Sequence, residues 1–310
     1  MAQAPRRAAG AAVNVLRESE WRERAARHRA RVEPELADVI ARRDRGIKHP
    51  IDDFLFHYYT LRPSHLLQWH PGVGHAVDAG EALLGHPFHA AHGDGSVTLD
   101  VAGFMAKRGR TVATAERLLR ASAAATPRFG CFGMHEWAMV YRLEQGETRH
   151  PYLKLRFPPD ELAAIVEEVG CRCSHFDAFR FFTPAARPLN LLTPTRETQP
   201  DLDQPGCLHV NMDLYRWAGK LSPAVPSELL FDTFLLARDI REVDMAASAY
   251  DLTSWGLEPI RVETSEGRAS YAASQRRFAE RAAPLRAALI GVVDALVARS
   301  DATIPASRGV

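Results

Sequence analysis

Lysine is scarce in this 310-residue chain, where it occurs only as Lys48, Lys107, Lys154 and Lys220. Mechanisms that form a Schiff base with a lysine side chain therefore have few carriers available. Arginine supplies nearly all of the positive charge, and 39 Lys and Arg residues against 38 Asp and Glu residues leave a net charge of +1. Because such a chain has no general electrostatic attraction to DNA or to a membrane surface, we expect neither as a partner.

Long apolar segments and cysteines are also few. The N-terminus carries positive charge without the apolar stretch of a signal peptide, and no apolar run approaches the roughly 20 residues of a membrane span. Cysteine occurs four times, at Cys131, Cys171, Cys173 and Cys207, which is too sparse for a secreted disulfide scaffold. We therefore expect a cytoplasmic protein with reduced thiols.

Helical periodicity dominates the chain, which is 46% hydrophobic and 25% charged and can therefore bury a full core. We predict a mainly α protein with a small β-sheet, of the α+β class, organised as one compact domain. Residues 1–12 are rich in alanine and arginine and are predicted to be disordered, whereas residues 13–310 are predicted to form a single catalytic domain. Strands are predicted at residues 150–157, 171–182 and 259–264, and an irregular loop at residues 183–206.

Histidine, in contrast, is abundant, with 13 residues, and three of these histidines share one local pattern. Each follows a cysteine within four positions, and each is followed by an acidic residue within four positions and then by an aromatic residue. The three segments are "FGCFGMHEWAMVY" around His135, "CRCSHFDAFRFF" around His175 and "QPGCLHVNMDLYRW" around His209. Neutral imidazoles with a carboxylate in mostly apolar surroundings are what a mononuclear non-haem iron site requires.

The segment that contains His175 and Asp177 is the centre of this prediction. If it is a strand, the two side chains lie on the same face, because alternate residues of a strand point the same way, and both can reach one ion. A third ligand must come from elsewhere in the chain, and His135 and His209 are the natural candidates. The predicted metal ligands are therefore His135, His175, Asp177 and His209.

Five further residues flank these segments and are predicted to serve the same site. Glu136 and Asp213 are the candidate catalytic carboxylates, which can also orient an imidazole by accepting its hydrogen bond. Arg180, Asn190 and Asn211 are predicted to bind the substrate, since guanidinium and amide groups suit a carbonyl-rich heterocycle or a sugar.

Other interpretations of these residues remain open. His175 and Asp177 can be a hydrogen-bonded pair in the core, and a cysteine next to a histidine, at Cys131 or Cys207, can be a catalytic nucleophile. Structural zinc is less favoured, because Cys-x-Cys is not the usual spacing and the chain has no Cys-x-x-Cys.

Two more groups of residues are not assigned to a functional site. His86, His89 and His92 recur every three residues in "GHPFHAAHGD" and are predicted to be solvated histidines of a loop. Asp232, Asp239 and Asp244 lie along one predicted helix, where we interpret them as ion-pair partners of arginine.

Long stretches of the chain resemble a bacterial family whose members are often labelled 3-methyladenine DNA glycosylase. The resemblance spans roughly residues 48–290 and depends on five strings. These are "HPIDDFLFHYYTLRPSHLLQWHPG", "GCFGMHEWAMVYR", "HFDAFRFFTPAARPLN", "QPGCLHVNMDLYRWAGKLSP" and "DIREVDMAASAYDL". The family includes the non-haem iron oxygenase of oxazinomycin biosynthesis, so the resemblance implies an Fe(II) enzyme that uses O2 to open and rearrange a pyridine ring of a C-nucleoside.

Three functions follow as hypotheses. The first is a mononuclear non-haem Fe(II) oxygenase with O2 as co-substrate and a small heteroaromatic or nucleoside substrate. The alternative is a metal-free DNA-base glycosylase in which Asp177 or Asp213 activates water, although the sequence shows neither a helix-hairpin-helix signature nor a basic stripe. The third is a non-enzymatic helical binding module in which the His and Asp pairs are structural. Nothing in the sequence indicates an oligomeric state.

Overall fold

A computed structural model describes residues 13–92 and 94–303 of the chain. Residues 1–12, for which the sequence predicts disorder, lie outside the described residues, as does the end of the predicted catalytic domain beyond residue 303. Within the described ranges the protein consists of eleven α-helices and one small sheet of four strands. The prediction of a mainly α, α+β domain is confirmed.

The helices differ widely in length, and the longest ones form the body of the protein. They are α1 (Glu18–Asp44), α2 (Asp52–His57), α3 (Pro63–Leu67), α4 (Val101–Ala124), α5 (Met134–Ala138), α6 (Pro159–Val169), α7 (Phe176–Phe179), α8 (Gln199–Leu202), α9 (Leu208–Leu221), α10 (Ser227–Ala246) and α11 (Ser265–Thr303). Helix α4 begins where the Asp100 carboxylate accepts the backbone N–H of Gly103, which satisfies one of the free donors of the first turn.

Helices α4, α9, α10 and α11 pack against one another and enclose the main hydrophobic core. Helix α9 lies at the centre, since most of its side chains, polar ones included, are buried. A helix that is buried on nearly every side carries its polar residues into the interior, where each needs a partner.

The four strands form a single mixed sheet. Its strands are β1 (Asn14–Leu16), β2 (His75–Val77), β3 (His89–Ala91) and β4 (Val97–Leu99), in the order β1-β2-β4-β3. Strand β1 pairs parallel to β2, while β4 pairs antiparallel to both β2 and β3. A second, smaller hydrophobic cluster, which includes Trp21, Trp69 and Val77, lies against the sheet.

The three strands predicted from the sequence are wrong, because the sheet is built from other segments. Residues 150–157 and 171–182 contribute only isolated bridges, Leu155 to Tyr250 and Cys171 to Asn190, and residues 259–264 form neither strand nor helix. In the segment 171–182 the chain turns into the short helix α7. The alternating faces inferred for this segment therefore do not exist.

Residues 183–206 are mostly irregular, with a 3₁₀ turn at Arg187–Leu189 and the one-turn helix α8. Along the described stretches 13–92 and 94–303, no helix combines the length and the apolar character that crossing a membrane requires.

Candidate metal centre

Three helices bring two histidines and one aspartate together in the interior. His135 lies on α5, His209 on α9 and Asp244 on α10, and their exposed fractions are 2%, 8% and 0%. One ligand atom of each residue lies within 4.8 Å of those of the other two, so this group could hold a metal ion. We call it the His135–His209–Asp244 group.

The chain reaches His135 through a sharp turn. Phe132 and Gly133 both have left-handed backbone, with φ of 52° and 74°, and α5 begins directly after them. A Cβ atom on Gly133 would lie 3.2 Å from the Tyr271 ring and 3.3 Å from Ala247, so both the conformation and the space favour glycine. Left-handed backbone at the non-glycine Phe132 costs free energy, and such positions cluster at functional sites.

Helix α9 presents His209 and Asp213 on one face, because residues four apart in a helix lie above one another. The His209 ring lies between two other imidazoles. It packs edge-on against His135, with ring centroids 4.5 Å apart, and stacks on His175 at 5.3 Å. The three histidines that the sequence pattern singled out therefore do converge.

Helix α10 contributes the carboxylate. Asp244 Oδ1 lies 2.9 Å from His135 Nε2, and its other oxygen, Oδ2, accepts a hydrogen bond of 3.0 Å from Arg241. The same guanidinium donates to Glu136 Oε1 at 2.8 Å. All four side chains are buried, so Arg241 stabilises two carboxylates that would otherwise be costly to keep charged.

The protonation of the two imidazoles differs. Burial disfavours a charge on His135, but the Asp244 carboxylate and its hydrogen bond outweigh burial and raise the pKa of His135 well above its usual value. Burial, reinforced by the charge of His135, holds the pKa of His209 well below its usual value. His209 is therefore neutral and ready to ligate, whereas His135 must release a proton when a metal binds.

His175 lies beside the His135–His209–Asp244 group but outside it. Its Nδ1 accepts the backbone N–H of Ala178 at 3.2 Å and caps α7. Its Nε2 lies 3.4 Å from Asp213 Oδ2 without hydrogen-bond alignment, and it has no hydrogen-bond partner among residues 13–92 and 94–303. Asp213 thus lies next to an imidazole, but the hydrogen bond by which it was expected to orient the ring is not formed, and its catalytic role stays a prediction.

The predicted pairing of His175 and Asp177 on one ion is wrong, because helix α7 replaces the strand on which it depended. The carboxylate of Asp177 is instead surrounded by three arginines. Oδ2 accepts from Arg216 at 2.7 Å, and Oδ1 lies 3.1 Å from Arg180 and 3.6 Å from Arg196.

The prediction that Asn190 and Asn211 bind substrate is also wrong. The Asn190 side chain is hydrogen-bonded to backbone groups. Its Oδ1 accepts from the Cys173 N–H at 2.7 Å, and its Nδ2 donates to the carbonyls of Cys173 and Leu192. Asn211 is fully buried, donates to the Pro205 carbonyl and accepts from Arg286. Both amides hold the fold together.

Two neighbouring cavities lead toward the His135–His209–Asp244 group. The inner cavity, of about 60 Å³, is lined by His209, Glu136 and Asp177 among others. The outer cavity, of about 510 Å³, is lined by Arg180, the remaining residue of the predicted substrate set, together with His49 and Tyr152. Five residues line both cavities: Phe54, Tyr58, Arg149, His150 and Phe181.

Asp244 is the functional residue that sequence reasoning missed. It was interpreted as an ion-pair partner of arginine, and it does bind Arg241, but its other oxygen binds His135. The string "DIREVDMAASAYDL" contains Asp244 with no histidine nearby, so the local pattern that found His135 and His209 had nothing to detect.

Comparisons with known proteins add no further residue to this group. No family model, curated protein or solved structure matches the chain. The functional argument therefore rests on the geometry of the His135–His209–Asp244 group and of the cavities beside it.

Proposed function

We propose that this protein is a mononuclear non-haem iron oxygenase that uses dioxygen to open or rearrange the ring of a small heteroaromatic or nucleoside substrate. The observation that carries the proposal is the buried set of two imidazoles and one carboxylate, His135, His209 and Asp244. Two histidines and one carboxylate with open positions are the ligand set typical of Fe(II) oxygenases. Bound Fe(II) would supply the redox chemistry by which dioxygen is activated.

The residues around the group support a role in ligation. His209 is neutral and lines the inner cavity, so its side chain is accessible from the side on which a substrate would enter. Arg241 fixes the position of Asp244 and prevents the carboxylate from turning away from His135. A ligand whose orientation is set by a second hydrogen bond binds metal more tightly.

The two cavities support a flat, polar substrate. Phe181 lies between the guanidinium groups of Arg149 and Arg180, each 4.1 Å from the ring centroid, so the entrance combines an aromatic surface with hydrogen-bond donors. Burial, followed by the charges of Asp213 and Asp177, raises the pKa of Tyr58 to about 12. Tyr58 is therefore a neutral phenol at pH 7 and can donate a hydrogen bond to a ring oxygen or nitrogen.

A second candidate function, thiol-based catalysis, is favoured by one observation. Cys131 Sγ lies 3.5 Å from His135 Nδ1, while the opposite ring nitrogen binds Asp244, which is the order of groups in a thiol–imidazole–carboxylate relay. Hydrogen bonding with Cys173 and His135 outweighs burial and holds the pKa of Cys131 well below its usual range. A cavity of about 230 Å³ opens beside Cys131. A thiol–imidazole–carboxylate relay gives His209 no role, and we therefore rank thiol-based catalysis second.

The decisive experiment measures iron and oxygen together. Protein purified without oxygen should contain about one iron per chain and should consume O2 when a dihydroxypyridine C-nucleoside is added. The variant His209→Ala should lose both properties, because it removes a neutral imidazole ligand from the group.

Two controls separate the candidates. Cys131→Ser should retain iron and oxygen uptake if the protein is an oxygenase, whereas loss of a hydrolytic or transfer activity in that variant would favour the thiol relay. Iron-free protein that excises alkylated bases from DNA would contradict the oxygenase and support the glycosylase alternative.

A further inference from the structure

A fourth cavity lies away from the metal centre, where the loops around the small sheet meet the helical body. Its volume is about 330 Å³, within the range of small-molecule sites. It is lined by Tyr59, Thr60, Leu61, His65, Gln68, His70, His86, Pro87, Phe88, Arg108, Gly219, Lys220, Ser222, Pro223 and Leu230. None of these residues lines either of the two cavities beside the His135–His209–Asp244 group. We call it the basic cavity.

The charged side chains of the basic cavity all have one sign. Arg108 and Lys220 line it together with three histidines, and no Asp or Glu does so among the residues that the structure describes. Neither Arg108 nor Lys220 forms an ion pair with a carboxylate anywhere in the described ranges. In a chain with a net charge of +1, this local excess favours an anion.

The position of the Arg108 guanidinium is well defined. The Arg108 guanidinium donates to the carbonyl of Lys220 at 2.6 Å, which ties α4 to the C-terminal end of α9. The same guanidinium lies over the Phe88 ring, 5.6 Å from its centroid. A guanidinium held by two contacts loses little conformational freedom when it binds an anion, so it contributes more of its interaction energy to affinity.

The wall of the basic cavity carries backbone strain. Thr60 and Phe88 have left-handed backbone, with φ of 54° and 65°, although neither is glycine. Such conformations are costly, persist only where the surrounding structure over-determines them, and cluster at active sites and ligand-binding sites. The strain at Phe88 turns an aromatic ring toward Arg108, so that a flat apolar surface and a cation lie side by side.

The histidines of the basic cavity could suggest a metal site, but the geometry argues against one. The His70 ring lies 5.5 Å from that of His86 and 5.2 Å from that of His89, yet their nitrogen atoms do not form a group close enough for one ion among the described residues. The permanent charges of Arg108 and Lys220 in the same wall would also repel a cation. His70 is buried, and its Nδ1 has no hydrogen-bond partner within the described part of the chain.

We propose that the basic cavity binds a small phosphate-bearing molecule with a flat ring. Arg108 and Lys220 hold the phosphate, with the hydroxyl group of Ser222 in the same wall as an additional donor. Phe88 offers its ring surface to the flat part of the ligand. The site is separate from the metal centre, and its occupant is therefore not the substrate of the proposed oxygenase reaction at that centre.

Calorimetric titration of metal-free protein under nitrogen tests the site without reference to oxygenase activity. The probes are uridine 5′-monophosphate, uridine and inorganic phosphate. The nucleotide should bind saturably, and uridine should bind at least about tenfold more weakly, because it lacks the charge-assisted hydrogen bonds. Inorganic phosphate should also bind more weakly than the nucleotide, since it lacks the ring.

Variants locate the binding. Lys220→Gln should weaken nucleotide binding by about tenfold, the effect of removing one charge-assisted contact, and Arg108→Gln by at least as much. Lys48→Gln is the matched control, since it removes one exposed lysine elsewhere and should leave affinity unchanged. The absence of saturable nucleotide binding, equal affinity for uridine, or full affinity in both Lys220→Gln and Arg108→Gln would overturn the proposal.

Discussion

His135 Nε2 and Asp244 Oδ1 lie 2.9 Å apart in the interior, although the two residues are separated by 109 positions in the chain. The contact joins the short helix α5 to the long helix α10. Arg241 holds the other oxygen of Asp244, and the His209 ring packs edge-on against the His135 ring. One carboxylate thus connects the ion-pair network of α10 with the imidazoles of α5 and α9.

Asp244→Asn should abolish metal binding. The amide retains the size of the carboxylate but carries no charge and offers only one oxygen, so the bound metal should fall from about one equivalent to nearly none. Inductively coupled plasma mass spectrometry of protein loaded with Fe(II) without oxygen measures this change. Near-ultraviolet circular dichroism checks that the variant is folded.

Asp177→Asn is the matched control for the first prediction. Asp177 lies in the segment that the sequence singled out, but its partners are Arg180, Arg196 and Arg216. The variant should therefore keep its metal. Loss of metal in Asp177→Asn with retention in Asp244→Asn would show that the ligand set is the one predicted from the sequence.

Arg241→Met should destabilise the fold strongly. Removal of the guanidinium leaves Glu136 and Asp244 buried without a cation, which costs about 3–5 kcal/mol for a broken buried ion pair. Urea unfolding followed by circular dichroism measures the free energy of unfolding. Arg238→Met is the comparison, since its partly exposed pair with Glu35 should contribute less than about 1 kcal/mol. Equal losses of unfolding free energy in Arg241→Met and Arg238→Met would contradict the stronger contribution expected of the buried ion pairs of Arg241.

Asp203→Asn should change how stability depends on pH. Burial raises the pKa of Asp203 to about 6, above its value of about 4 in the unfolded chain. The folded state therefore favours the protonated acid, whose contribution is complete below about pH 4 and is lost as the pH rises through 6. The neutral amide of the variant avoids this loss, so it should be more stable than the wild type at pH 7.5 by up to about 3 kcal/mol.

Thermal or urea unfolding of the metal-free protein at pH 4.0, 6.0 and 7.5 measures the effect of Asp203→Asn. The exposed neighbour Asp201 supplies the control variant, Asp201→Asn. A constant difference between wild type and Asp203→Asn over the three pH values would show that Asp203 does not titrate in this way.

Gly133→Ala should weaken both the fold and the metal site. Alanine at a φ of 74° costs about 1–3 kcal/mol, and its methyl group would also press against Tyr271 and Ala247. Since this turn sets the position of His135, metal affinity should decrease as well. Gly146→Ala, where a methyl group meets open space, should leave the unfolding midpoint and the metal affinity nearly unchanged.

The long helices and the histidines of the site could be predicted from the sequence. The proline at the start of α6 and the glycine after its end are signals that predict a helix from sequence alone, and α6 does end at Val169, directly before Gly170. Such signals lie within a few residues of one another, so the prediction of the helix does not depend on how distant parts of the chain pack. The recurring cysteine–histidine–acid pattern likewise identified His135 and His209 without any knowledge of the fold.

The sheet could not be located in the same way. Its strands have only three residues each, too few for alternation to be recognised, while the alternating segment 171–182 contains the one-turn helix α7 and no strand. The His175 imidazole accepts the N–H of Ala178 and begins that helix. This local hydrogen bond favours the helix, although the alternation of polar and apolar residues in the segment is typical of a strand.

The sequence by itself determined the fold class, the helical segments and the histidines that gather at the site, because each depends on residues that are close neighbours in the chain. Only the tertiary structure decided that Asp244 rather than Asp177 lies at the imidazoles. The local pattern favours Asp177, which is two residues from His175, whereas Asp244 has no histidine near it in the chain. The packing of α10 against α9 carries Asp244 to His135, whereas helix α7 points Asp177 to three guanidinium groups.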